Sequence, residues 1–168
     1  MAREGPPVHE YEAQLLTQSF QFNGRLETVG NPLDFLNDPT RDALILRQAY
    51  IAPLTPGGPI RGLARPQVSV RRQEVLFLYY AGSEAREAIR LLARREPLIA
   101  YTPLAVLRGT FHLPAEALLG DFLASTTGSF LPITHAQLFF LQRLPSPFPS
   151  ECELLMVGRQ YIQLYHPV

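Results

Sequence analysis

The sequence contains no lysine and no tryptophan, and only one cysteine in 168 residues. A lone thiol excludes an intrachain disulfide and a cysteine-rich metal site, and leaves Cys152 to serve as a small buried hydrophobe. There is no net charge at neutral pH, so no long-range field draws the chain to nucleic acid or an anionic membrane, and any such binding must come from a local patch. No run reaches the about eighteen apolar residues of a membrane span, and the opening MAREGPPVHEYEAQ has no apolar targeting core. These absences lead to the expectation of a cytoplasmic protein that makes no membrane contact.

Catalytic signatures are missing too. There is no GxSxG, no P-loop and no dinucleotide glycine fingerprint. The glycines of TPGGPIRG come without the lysine and the following helix that would let them cradle a phosphate. His9, His112, His135 and His166 lie on separate segments without zinc-site spacing, and are expected at the surface or at strand edges. No catalytic residue, metal ligand or cofactor is therefore nominated, and the chain reads as a non-enzyme. All fifteen cations are arginine. The guanidinium fork suits carboxylate and phosphate, but a GC-rich genome or a thermophilic source accounts for such a bias more simply.

What the sequence does contain is a repeat, the first thing to seek. DFLNDPTRDALILRQAYIAPL, from Asp34, returns as DFLASTTGSFLPITHAQLFFL, from Asp121. The offset of 87 residues places Thr40 on Thr127, Leu44 on Leu131, Ala49 on Ala136 and Leu54 on Leu141. It then runs without a gap to place Val70, Arg72, Gln73 and Val75 on Val157, Arg159, Gln160 and Ile162. Upstream, FNGRL pairs with LRGTF through Gly24 and Gly109 once two residues are inserted or deleted.

Within each copy the apolar period is two, as in strands, and it slips by one residue at Arg47-Gln48 and again at Thr134-His135, which marks a bulge or sharp bend. Further on, strand, polar tight turn and strand follow one another around Arg71–Glu74 and Gly158–Gln160. Each copy thus offers about five short strands, and short bent strands with glycines at the bends favour small closed barrels. Between the copies GSEAREAIRLLARREP reads as one helix of about three turns, capped by Ser83 and stopped by Pro97. The expected organisation is a mainly β protein with an N-terminal arm (1–14), a first barrel repeat (15–81), a connecting helix (82–97) and a second barrel repeat (98–168). Asp34 and Asp121 are expected to cap nearby backbone N–H groups.

Gly24-Arg25-Leu26, Asp34-Phe35-Leu36-Asn37 and Leu44-Ile45-Leu46-Arg47-Gln48-Ala49 together resemble the first motif of the Sm-like small barrels, of SH3-like type, and are similar to a bacterial family of small β domains. In Sm-like proteins the Asp and Asn of this motif, with an Arg from the turn before the last strand, face single-stranded RNA in the pore of a ring. The resemblance implies Asp34, Asn37 and Arg72 as such contacts, with Arg159 at the repeated position. Tyr79 and Tyr101 are aromatic candidates for stacking. The sequence departs from the motif: the Asp-to-Asn spacing is one short, extra residues intervene, and Ala124 stands where the second copy would need Asn.

Three functions follow. The first is a non-catalytic scaffold that pairs strand edges with copies of itself, because tandem repeats put a donor and an acceptor edge on one chain. QLFFL and FLYY support it, being too apolar on both parities for strands with a solvated face, so Tyr79, Tyr80, Phe139 and Phe140 are expected to meet the other repeat, the helix or another chain. The second is single-stranded RNA binding, and the third a ligand or peptide sensor using the proline-rich loops.

Overall fold

The computed structural model describes residues 5–125 and 129–168; Thr127, the repeat mate of Thr40, lies outside them. Strands hold 52% of the described residues, so the protein is mainly β. They are β1 (Val8–Leu16), β2 (Phe20–Val29), β3 (Ala43–Pro53), β4 (Leu63–Arg71), β5 (Phe77–Tyr80), β6 (Arg94–Tyr101), β7 (Ala105–Leu113), β8 (Phe130–Phe140), β9 (Glu151–Gly158) and β10 (Leu164–Pro167). The helices are short: α1 (Pro32–Asn37), α2 (Ser83–Ala88) and α3 (Phe122–Ser125). All the strands form one antiparallel sheet in the order β10-β6-β7-β8-β9-β5-β1-β2-β3-β4. Cut between β9 and β5, the sheet separates into two five-strand groups of the same relative order.

The repeat is visible down to the pairing register. Leu44 lies opposite Val70 as Leu131 lies opposite Val157, and all four are buried. The register of β2 on β3 shifts between Asn23 and Arg25, and that of β7 on β8 between Arg108 and Thr110. Opposite each shift one residue takes a left-handed backbone, Gln48 and His135, both with φ of 50°. These are the bulges that the slipped parity marks, and Gly24 and Gly109 face them. A Cβ on Gly24 would come 3.0 Å from the Arg47 carbonyl oxygen, and one on Gly109 would come 2.5 Å from Ile133 Cγ2, so glycine is what lets each bent strand close on its neighbour.

The recurring Asp-Phe-Leu places a plug. Phe35 and Phe122 are buried, and Phe122 packs edge-on to Phe111 at 5.3 Å and to Tyr165 at 5.2 Å between centroids. The aspartates of the motif do not cap. Asn31 does, its Oδ1 accepting from Leu33 N at 3.0 Å and Asp34 N at 3.3 Å, with Pro32 opening the helix as its fixed φ favours. Asp34 and Asp121 are exposed, and neither carboxylate accepts a hydrogen bond from a described residue. Capping went to the residue just ahead of the helix, where Pro32 fixes the start.

Three other expectations need correction. The connecting helix ends at Ala88, not Pro97, and its N-cap position is Gly82 rather than Ser83. Asn31 Nδ2 donates to the Ala88 carbonyl at 2.6 Å, Ile89 turns extended and buries itself, and Arg94–Pro97 belong to β6. Pro97 is tolerated because it faces the very end of β10, past the last ladder pair at Leu98, where its carbonyl accepts from Val168 N at 3.4 Å and no N–H is called for. The supposed arm contains most of β1, whose Tyr11, Ala13 and Leu15 alternate inward. Finally, the bent strand is one continuous β3 or β8, so five strands per copy arise from an inventory different from the one read in the sequence: β1 and β6 stand in for the split strand.

Candidate functional site

β5 is FLYY, and it is central. It pairs with β1 on one side, and on the other its Phe77 and Leu78 lie opposite Val157 and Met156 of β9. Both faces are covered, which is why both parities are apolar: Phe77, Leu78 and Tyr80 are buried and Tyr79 is half-buried. The joint also mixes the two cores. Leu16, Leu54, Leu76 and Phe77 of the first half pack into the apolar cluster of the second, while Phe130, Leu154 and Met156 pack into that of the first.

Polar clamps lock the same seam. Asn37 Oδ1 accepts from Phe130 N at 2.8 Å and its Nδ2 donates to Phe130 O at 3.2 Å. Gln21 does likewise with Ser146, donating to its carbonyl at 3.0 Å and accepting from its N–H at 3.2 Å, and Asn23 Nδ2 reaches Ser146 Oγ at 3.2 Å. The proline-rich loop between β8 and β9 is thereby strapped onto the first half, with Phe148 set edge-on between Tyr79 at 6.2 Å and Phe140 at 5.8 Å. Phe139 points away and is 58% exposed.

Of the residues implied as RNA contacts, the structure brings Arg72 and Arg159 to one place and separates the others from it. A recess of about 220 Å³ on the seam is lined by Arg72, Gln73, Ser129, Gly158, Arg159 and Gln160. Arg72 is buried, its Nη1 donating to the Leu36 carbonyl at 3.4 Å, and Arg159 Nη1 meets the Leu123 carbonyl at the same distance. Each arginine thus takes up a carbonyl of the short helix of its own half. Arg72 Nε is buried without a partner among the described residues. Asn37 is committed to Phe130, and Asp34 faces solvent.

The two ends of the sheet repeat the backbone of the seam. Leu76 N donates to Leu16 O at 2.8 Å ahead of β5, and Gln163 N donates to Tyr101 O at 2.8 Å ahead of β10. Arg159 N donates to Ser129 O at 2.8 Å after β9, and Arg72 N donates to Asp42 O at 2.7 Å after β4. β10 and β4 are therefore laid out as β5 and β9 are, but among the described residues each has a strand neighbour on one side only. Sequence reasoning nominated aromatics for this role and missed the edge residues Ser69, Val70, Leu164 and Tyr165, which the 87-residue offset pairs with Met156, Val157, Phe77 and Leu78.

No family model, curated protein or solved structure matches the chain. Among the described residues no group of three or more His, Cys, Asp or Glu is placed to hold a metal ion, and no helix is long and apolar enough to cross a membrane. Cys152 is half-buried against the second core, and burial pushes its thiol up to about 11.

His112 is not the surface residue that its isolation in sequence suggests. It is buried beside the β7–β8 bulge, with Nε2 at 2.8 Å from Thr134 Oγ1 and Nδ1 at 3.3 Å from the Leu92 carbonyl. The repeat-equivalent pair in the first half is Glu27 with Arg47, whose Nε donates to the carboxylate at 2.8 Å. Both pairs brace a bulge, one by charge at the surface and one by a neutral hydrogen bond inside. Burial, with the Arg95 and His135 charges adding to it, holds the His112 imidazole below its ordinary value of 6.5, against the Leu92 carbonyl, which acts the other way. The unfolded chain then binds a proton that the folded chain refuses, so stability is full above about pH 6.5 and falls as the pH drops through the folded-state value. The urea midpoint is expected to decrease from about pH 7.5 to about pH 5.5, with a shallower decrease in His112→Gln; equal slopes in the two proteins would exclude His112 as the source.

Proposed function

We propose that the protein is a non-catalytic module that associates with copies of itself head to tail, β10 of one copy pairing with β4 of the next, as a closed ring or an open filament. On this reading its halves are tandem small barrels of the Sm-like or SH3-like kind joined at β5 and β9. The observation that carries it is the internal joint itself: the chain holds one such contact, and both outer edges keep the backbone arrangement of its two sides. Applied to the edges, the seam register sets Leu164 opposite Val70 and Tyr165 opposite Ser69. Leu164 and Val168, 53% and 58% exposed, lie on or next to the β10 edge, and their burial would add to the main-chain hydrogen bonds of the new pair. A heterologous contact of this kind closes only if its rotation divides a full turn.

Ser69→Pro tests the reading. Arg72 N points to β3, so by the alternation of a strand Ser69 N points outward, and proline there removes an edge donor without touching the β3 ladder. Light scattering at micromolar concentration is expected to give a mass above 18.9 kDa for the wild type and a monomer for Ser69→Pro at an unchanged melting temperature. A wild-type monomer at every concentration sinks the proposal. A second reading, single-stranded RNA binding, is favoured by the recess that holds Arg72 and Arg159; it calls for nucleic acid in the purified protein, read as a raised 260/280 nm absorbance ratio that Arg159→Ala lowers.

A further inference from the structure

We propose that Arg71 limits this assembly as a guard on the β4 edge, acting through its Cβ atom; the inference rests on the self-association reading above. In the seam, β9 ends on Gly158, whose N–H donates to the Leu76 carbonyl at 2.7 Å. A Cβ at that position would stand 2.4 Å from the Val75 carbonyl oxygen and 3.5 Å from that of Leu76. Distances under 3.0 Å are essentially never seen for a Cβ, and an atom of the main chain cannot swing aside as a side-chain tip can. The backbone of Gly158, with φ of −62° and ψ of 111°, is open to any residue. Glycine is needed there for space, not for conformation.

Arg71 holds the same place on the free edge. Its φ of −64° and ψ of 125° match. The turn after it closes with Val75 N on Arg72 O at 3.3 Å, as the turn after Gly158 closes with Ile162 N on Arg159 O at 3.2 Å. On the opposite edge the Ile162 and Gln163 carbonyls stand where those of Val75 and Leu76 stand in the seam. A second copy that docks its β10 in the seam geometry therefore drives its Ile162 carbonyl into the Arg71 Cβ. The outer joint must open, or give up the Arg71 N–H bond, and is weaker than the seam in either case. Other edge residues depart in the same direction: Ser69 replaces Met156, Gln67 replaces Leu154 and Pro167 replaces Tyr80. Polar side chains and proline are what strand edges use against unchecked pairing. The chain thus keeps a complete joint inside and a handicapped copy of it at its ends.

The test compares Arg71→Gly with Arg71→Ala in the full chain, by sedimentation over a range of concentrations. Both remove the charge and the exposed 3.7 Å pair with Asp42, but only glycine removes the Cβ. Arg71→Gly is expected to tighten association by about tenfold or more, equivalent to about 1.4 kcal/mol, while Arg71→Ala stays near the wild type and Ser69→Pro added to Arg71→Gly restores the monomer. Equal effects of glycine and alanine, or none from glycine, overturn the inference. If the wild type associates and Arg71→Gly does not tighten it, self-association stands and the guard fails. If only Arg71→Gly associates, the guard stands and wild-type self-association fails.

Discussion

Replacing Phe77 with alanine is expected to destabilise the entire chain by about 3–5 kcal/mol, the usual range for a large aromatic removed from a closed core. Phe77 is fully buried and belongs by chain position to the first half, yet its side chain packs in the second, beside Leu155, Val157 and Ile162. The cavity therefore opens in one half while the strand that frames it, β5, is held by β1 of the other. Loosening β5 exposes Met156 and Leu154, which fill the first core, so damage on one side passes to the other. Thermal unfolding of Phe77→Ala should remain a single transition at a lower temperature, with amides of β2 and β7 losing exchange protection together. Two separated transitions, or a loss below about 1 kcal/mol, would show that the halves are stabilised independently.

A stronger effect is expected from cutting the chain at the seam. Expressed alone, residues 1–81 and 82–168 should each lack a cooperative fold, although about 80 residues suffice for many small domains. The first fragment loses Phe130, Leu154 and Met156 from its core, and the second loses Leu16, Leu54, Leu76 and Phe77. Each is also left with a broken edge, the apolar β5 or the Leu154–Val157 stretch of β9, and is therefore prone to aggregate. The clamps at Asn37 and Gln21 would have lost their partners. Mixing the fragments from denaturant should restore the circular dichroism of the intact chain. A sharp melt of either fragment alone would contradict this picture.

Much of this architecture was legible in the residues, for a definite reason. Side chains on a strand alternate faces, so the slip in apolar parity at Arg47-Gln48 and at Thr134-His135 marked a bulge or sharp bend, and Gln48 and His135 take left-handed backbone there. Register is carried by the same alternation, so the 87-residue offset placed Leu44 and Leu131 in equivalent pairs. FLYY announced by composition alone that it had no solvated face.

Other features were settled only in three dimensions. β1 hides its inward Tyr11, Ala13 and Leu15 between Glu10, Glu12 and Gln14, which the opposite face accepts at no cost to the strand. GSEAREAIRLLARREP has helical spacing throughout, but the core claims Ile89 and the sheet claims Arg94–Pro97, and burial of one side chain plus a ladder of hydrogen bonds outweighs a few tenths of a kcal/mol of helix propensity per residue. Asn31 rather than Asp34 caps α1 because the cap belongs to whichever residue ends up just outside the first turn. Above all, position 158 and position 71 are a glycine and an arginine in one repeated phrase, and nothing in the sequence distinguishes a substitution that matters. The sequence by itself determined the repeat, its bends and its strand character, because those follow from local alternation. Which strand of one half meets which strand of the other, and therefore which edges remain free, was decided by the tertiary structure, because only packing two incomplete cores against each other selects a partner for β5.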